Sequence, residues 1–169
     1  MPSPIGVQRF PNGNTFVATR KQLLEMDRDG REVFSYNRPT ADIAAGQKQR
    51  NGQIALVTTT GTYLRLDAAG KEVKSFPVVG RFLGFGGFQA LPNHGVLVAD
   101  SCKALEYDAD GKVVWEALSG TINSVARMSN GNTLVDHCGG ESVWELDRAG
   151  KFVRSFPSRD GRIIRARCR

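Results

Sequence analysis

The sequence is poor in the residues that most often carry chemistry. Its 169 residues include two histidines, His94 and His137, and three cysteines, Cys102, Cys138 and Cys168. An odd number of cysteines with no Cys-x-x-Cys pair argues against a disulfide framework and reads as reduced thiols. No apolar run approaches the ~20 residues needed to cross a bilayer, so no membrane partner is expected. The N-terminus lacks a basic start followed by an apolar stretch, which leaves no secretory signal to read. The expected location is the cytoplasm, unless the chain is an excised piece of a longer protein. No stretch shows a sustained 3.6-residue apolar period with caps, and almost no helix is expected.

Excess charge is scarcer than the total implies. There are 23 Lys and Arg against 17 Asp and Glu, a net +6. Most of that excess lies at the end of the chain, over 154–169, where Arg154, Arg159, Arg162, Arg165, Arg167 and Arg169 face only Asp160. The remaining surface is nearly neutral, so a nucleic-acid partner is not expected. The tail reads as an edge strand built on Ile163, Ile164 and Ala166, whose arginines discourage aggregation.

What the chain does have is repetition. Asp-x-x-Gly recurs at Asp27–Gly30, Asp67–Gly70, Asp108–Gly111 and Asp147–Gly150, with Asp-to-Asp spacings of 40, 41 and 39. A basic residue follows each glycine: Arg31, Lys71, Lys112 and Lys151. An Asn-rich mark leads each of these by 15 to 17 residues, at Pro11–Thr15, Asn51–Gln53, Pro92–Gly95 and Asn130–Thr133. Asn-Gly favours a two-residue hairpin turn with positive φ at both central residues. Asp at the start of a turn accepts backbone hydrogen bonds, and Gly at its fourth position takes the left-handed conformation.

The segments between these turns alternate or are β-branched, as strands are. One unit runs Val125–Met128, Thr133–Val135, Ser142–Leu146 and Phe152–Phe156, with the same layout over 7–34, 48–76 and 88–115. Four-stranded antiparallel units of ~40–45 residues in tandem are the signature of β-propeller blades. The fold class read here is therefore all-β, a β-propeller of four-stranded blades with four repeats in one domain, approximately 5–44, 45–86, 87–123 and 124–157, followed by the basic tail 158–169. A β-sandwich or β-solenoid is the bland alternative. Phe34, Phe76, Trp115 and Phe156 are expected to supply blade-to-blade packing.

Asp108-Ala109-Asp110-Gly111-Lys112-Val113-Val114-Trp115 resembles the tryptophan docking motif of quinoprotein-like propellers. With Pro11-Asn12-Gly13-Asn14-Thr15 it is similar to pyrroloquinoline-quinone-like repeats and to arylsulfotransferase-type propellers. Phe34, Lys74 and Arg154 stand where the other repeats would have that tryptophan. The resemblance implies the propeller architecture. It also implies, as an alternative function, a quinone-dependent dehydrogenase using pyrroloquinoline quinone with calcium, or a sulfotransferase-like enzyme. The adjacent cysteine pair and the acidic and amide cluster of such dehydrogenases are not found here. His94 and His137 fall in different turns, expected on opposite faces, which does not suit shared catalysis.

The preferred reading is a non-catalytic binding or scaffold module without a cofactor, presenting loops of one face to a protein or small ligand. Those loops carry Arg20, Lys21, Arg38, Thr58, Thr59, Thr60, Arg81, Asp100, Asp136 and His137. The repeated Asp-x-Cys, Asp100–Cys102 and Asp136–Cys138, offers a weak metal alternative: Asp100, Cys102, Asp136, His137 and Cys138 are zinc-type ligands, expected on one face. Asp as a loop cap and Cys as a small hydrophobe is the preferred account of it. Gly84-Phe85-Gly86-Gly87 is no phosphate loop, since it precedes a strand and no Lys-Ser or Lys-Thr follows. Four blades are few for a propeller. The chain is expected to form a homodimer completing an eight-bladed ring, with a closed four-bladed monomer as the alternative.

Overall fold

The computed structural model describes residues 3–80, 87–100, 102–118, 120–137 and 142–157. Arg81, Cys138, the glycines 84–86 and the basic tail with its expected strand lie outside them. The described strands form four sheets, each an antiparallel meander of four consecutive strands. No helix occurs among the described residues.

The chain divides into two compact units, Met1–Pro77 and Val78–Arg169. In the first, β1 (Pro4–Arg9), β2 (Thr15–Thr19), β3 (Gln22–Met26) and β4 (Glu32–Asn37) make blade one. Blade two follows with β5 (Ile43–Lys48), β6 (Ile54–Thr58), β7 (Thr62–Leu66) and β8 (Glu72–Pro77), so it opens at Ile43 and Lys48 closes its first strand. In the second unit, blade three is β9 (Phe88–Ala90), β10 (Val96–Asp100), β11 (Lys103–Tyr107) and β12 (Val113–Leu118). Blade four is β13 (Val125–Arg127), β14 (Thr133–His137), β15 (Ser142–Leu146) and β16 (Phe152–Pro157).

At one end of every blade, both hairpin turns are the same three-residue loop. In blade four, Met128 N donates to Asn132 O at 2.8 Å and Gly131 N to Met128 O at 3.0 Å; Asp147 N donates to Lys151 O at 2.8 Å and Gly150 N to Asp147 O at 3.0 Å. Only the third loop residue has a positive φ. This corrects the two-residue Asn-Gly turn. The asparagine instead accepts an N–H two residues on, as Asn12 does from Asn14 at 2.9 Å and Asn130 from Asn132 at 2.9 Å. That local bond, with proline ahead of it in blades one and three, favours an ordinary turn closed by one left-handed residue. The aspartates behave the same way: Asp27 Oδ1 accepts from Asp29 N and Arg31 N, both at 2.9 Å.

Each Asp-x-x-Gly turn is followed by a one-residue bulge. Register slips between Glu25 and Met26, Arg65 and Leu66, Glu106 and Tyr107, and Glu145 and Leu146. The skipped residues are Val33, Val73, Val114 and Val153, all of them exposed. A bulge twists its strand and changes which residues share a face. Phe34, Lys74, Trp115 and Arg154 therefore stand opposite Glu25, Arg65, Glu106 and Glu145. Phe76 and Phe156 pair instead with Tyr63 and Val143. The expected packing row thus mixes two registers, and Phe156 is exposed while Phe76 is buried.

The core of each unit lies between its two blades. In the first, Phe16, Ala18 and Leu23 of blade one pack on Ile43, Ile54, Leu56, Leu64 and Leu66 of blade two. In the second, Leu97, Ala99, Ala104 and Ala117 of blade three pack on Val125, Val135 and Leu146 of blade four, with Trp115 and Trp144 against them. Burying each large aliphatic or aromatic side chain contributes ~1.5–3 kcal/mol, so this face is the main stabilising element.

A polar latch runs beside each core. Gln8 donates to Lys48 O and accepts from Lys48 N at 2.7 Å. The Lys48 ammonium meets Glu25 at 2.5 Å and lies 5.2 Å over the Phe34 ring. In the second unit Gln89 accepts from Arg127 N at 2.6 Å, Arg127 pairs with Glu106, and its guanidinium lies 4.8 Å over Trp115. Trp115 Nε1 also donates to Arg148 O at 2.9 Å.

Candidate binding face

The antiparallel meander places two kinds of loop at opposite ends of a blade. One end holds the uniform three-residue turns. The other holds the β2–β3 turn and its equivalents, together with the connections from blade to blade, and these differ in every repeat.

In the first unit this variable end is organised by Arg38. Its guanidinium forks onto Asp42, Nε to Oδ1 at 3.0 Å and Nη2 to Oδ2 at 2.6 Å. These bonds, donated by Arg38 and accepted by Asp42, raise the Arg38 pKa and lower that of Asp42. The connection so stiffened is tied to its neighbours by the main chain: Arg38 N to Lys21 O, Ile43 N to Arg20 O and Thr59 N to Asp42 O at 2.7 Å. Arg20, Lys21, Thr59 and Thr60 are exposed around it. Thr19 and Thr58 are buried and spend their hydroxyls on the turns, accepting from Gln22 N at 2.9 Å and Thr62 N at 3.0 Å. The structure thus brings Arg20, Arg38 and Thr59 together, and leaves Arg20 and Thr59 available to solvent.

In the second unit Asp136 is fully buried. It accepts from Asn123 N at 2.6 Å, Ser124 N at 2.7 Å and Asn123 Nδ2 at 3.1 Å, and so holds the entry into blade four. His137 stacks on Trp144, with centroids 3.5 Å apart and planes 18° apart. Cys102 is an exposed free thiol. The two Asp-x-Cys runs do not occupy equal positions. Val96 and Thr133 both open the second strand of their blades, so Asp100 is the equivalent of His137, and Ala99 that of Asp136. A one-residue offset turns a strand residue to the other side of its sheet, so Asp100 and Asp136 lie on opposite sides of their sheets although both stand at the variable end. Among the described residues no group of three or more His, Cys, Asp or Glu could hold a metal. His94 lies at the opposite end from His137, in the β9–β10 turn, with φ 66° where the other such turns have glycine.

Acidic side chains here are held in their charged form. Glu25, Asp42, Asp108 and Glu145 are all shifted below their ordinary values. For Glu25, burial pushes upward but the bonds from Lys48 and Asn14, with the Lys48 charge, outweigh it. For Asp108 the backbone N–H groups of its own turn are the cause; for Glu145 it is Asn132 and then Arg154. None of these four is tuned upward toward proton donation near neutral pH.

The residues missed by sequence reasoning are those of the latch: Gln8, Glu25, Lys48, Gln89, Glu106 and Arg127. A signal was present. Gln8 to Gln89 and Glu25 to Glu106 are both 81 residues, which is two blade periods and not one.

Four-stranded antiparallel meanders packed face to face in tandem define a β-propeller, with four blades in this chain. No family model matches the sequence, and no curated protein matches it. Solved structures do. A Bacteroides caccae protein of unknown function superposes with a TM-score of 0.71 at 20% identity, over 91% of this chain and 60% of that one. Virginiamycin B lyase from Staphylococcus aureus gives 0.70 at 14% identity, over 93% and 56%. BBS1N, solved in complex with ARL6DN, gives 0.69 at 17% identity, over 94% and 54%. The chain thus spans little more than half the length of the structures it resembles.

Proposed function

We propose that this chain is a non-catalytic binding module, and that the variable end of its first unit recognises an anionic protein segment or small ligand. The observation that carries this is the division of labour around Arg38. The carboxylate of Asp42 is spent on stiffening the connection, while Arg20, Lys21 and the Thr59 hydroxyl stay exposed beside it. A rigid platform with unspent cationic and hydroxyl donors suits capture of a carboxylate or phosphate group. The carboxylates held below their ordinary range by their hydrogen-bond donors, Glu25, Asp42, Asp108 and Glu145, serve as structural acceptors, which supports binding over proton-transfer chemistry.

The test is a thermal-shift and calorimetric titration with citrate, inorganic phosphate and a poly-glutamate peptide. Saturable binding to wild type that weakens about tenfold in Arg20→Ala/Lys21→Ala is expected, with folding unchanged. Equal binding by the double variant, or none by wild type, would remove the reading. Dye-linked oxidation of alcohols or sugars after reconstitution with pyrroloquinoline quinone and calcium would establish the enzymatic alternative instead.

A further inference from the structure

Blade one carries the cation half of the latch that joins blade to blade within each unit, and blade four carries its acid half. The cation of the latch is always the last residue of a blade's first strand: Lys48 pairs in register with Ile54, and Arg127 with Thr133. Arg9 is the same residue of blade one, in register with Thr15. Among the described residues it makes no ion pair, and its Nη1 donates only to Thr15 Oγ1. The acid of the latch is the third-strand residue next to the register slip: Glu25 and Glu106 face Phe34 and Trp115, and Glu145 faces Arg154 in blade four. Glu145 accepts from Asn132 Nδ2 at 2.6 Å just as Glu25 accepts from Asn14 Nδ2 at 2.7 Å. Its second oxygen, which in Glu25 takes the next blade's cation, is met by Arg154 of its own blade, whose side chain is 61% exposed.

The apolar surfaces follow the same logic. Ile54, Leu56, Leu64 and Leu66 of blade two are buried against blade one. Their equivalents in blade one, Thr15, Val17, Leu24 and Met26, are only partly buried. On blade four, Leu134 is partly buried and Phe156 exposed, where blade one's equivalents are the buried Phe16 and the packed Tyr36.

The geometry points to a second copy of this chain as the occupant: blade four of one copy docks on blade one of the other, with Arg9 entering beside Glu145. The charges are complementary, and the contact repeats the one already built twice within the chain. Two copies, each docking head to tail, satisfy both half-latches in a closed two-fold assembly. Arg154, exposed on its own blade, turns outward to stack on Phe156, over which it already lies at 4.9 Å.

Light scattering on the 169-residue chain tests this. Wild type is expected at twice 18.4 kDa. Arg9→Glu sets like charges at both contacts and is expected to weaken association about a hundredfold, while Arg9→Lys keeps the dimer as Lys48 keeps its own latch. Glu145→Arg is also expected to be monomeric; the second blade carries Arg65 at this strand position. An equimolar mixture of the Arg9→Glu and Glu145→Arg proteins then restores the dimer, because both of its contacts pair opposite charges. Circular dichroism confirms that each variant is folded. A wild-type chain of one mass up to about 1 mM, or a dimer indifferent to Arg9→Glu, would overturn the proposal.

Discussion

Trp115 donates its indole N–H to the main-chain oxygen of Arg148, 2.9 Å away and 33 residues later in the next blade. The same ring carries the Arg127 guanidinium over its face. One side chain thus fixes the spacing of two blades and holds the cation of the latch. Phe34 does the packing half of this in the first unit, lying 3.3 Å from where a Cβ on Gly70 would stand.

Trp115→Phe keeps the stacking surface and loses the hydrogen bond. The expected cost is about 1 kcal/mol, read from urea denaturation midpoints. Trp115→Ala loses both, about 3 kcal/mol or more. With Arg127→Met as the second substitution, a double-mutant cycle is expected to show coupling of about 0.5–1 kcal/mol. Strict additivity would show that the ring and the guanidinium act independently.

The Glu25–Lys48 pair sets the response to acid. Glu25 and Asp42 lie below their ordinary values of 4.5 and 3.8 in the folded state. The unfolded chain therefore takes up protons first as pH falls. Their contribution is complete above about pH 5 and is lost as pH drops through the lowered folded values. Lys48→Met strands a buried carboxylate and is expected to cost about 3 kcal/mol at neutral pH. With burial then unopposed by the ammonium, the folded-state pKa of Glu25 rises, so acid costs the variant less and its deficit against wild type narrows as pH falls. Denaturation midpoints between about pH 7 and pH 3 for both proteins check this; parallel curves would contradict it.

His94 occupies a left-handed position that glycine fills in the equivalent turns, at Gly13 and Gly131 for example. A side chain in that conformation costs ~1–2 kcal/mol, against the ~0.5–1 kcal/mol of extra entropy that glycine loses. His94→Gly is expected to stabilise the protein by up to about 1 kcal/mol, seen as a higher melting midpoint. Gly131→Ala is expected to lose a similar amount, since its Cβ would also stand 2.2 Å from Arg148 Nε. A destabilised His94→Gly protein would mean that the imidazole contributes more than its strained backbone costs.

Asp136 is a structural cap. Asp136→Ala leaves two buried N–H groups and an amide without their acceptor, and is expected to cost about 3 kcal/mol. Treatment with a chelator is expected to leave the melting midpoint unchanged. A chelator-induced drop abolished by Asp136→Ala would restore a metal role.

The turns were the most legible part of the sequence, because their chemistry is local. Asp67, Asp108 and Asp147 each bond the N–H groups two and four residues on, so the residue types alone specify the loop. The bulges were less so. Val33 and Val114 look like ordinary strand valines, and nothing local says that the ladder skips them. Phe76 and Phe156 stand two residues beyond the position that Phe34 and Trp115 hold, an offset that the bulge common to all four blades does not create. A one-residue offset made Asp100 and Asp136 appear equivalent when they face opposite ways. The binding face was legible only as a set of loops; which of its polar groups are already spent depends on partners such as Asp42 for Arg38 and Asn123 for Asp136.

By itself the sequence determined the repeat of about 40 residues, the four-stranded unit and the position of every hairpin at the uniform end, since each rests on bonds within a few residues. Tertiary structure decided the rest. Gln8, Glu25 and Lys48 span 40 residues, and Gln89, Glu106 and Arg127 span 38, so each latch exists only when two blades stack. Whether a carboxylate is a buried cap, half of an ion pair or an exposed ligand is a matter of what stands opposite it, and strand pairing and blade packing, not residue type, put that partner there.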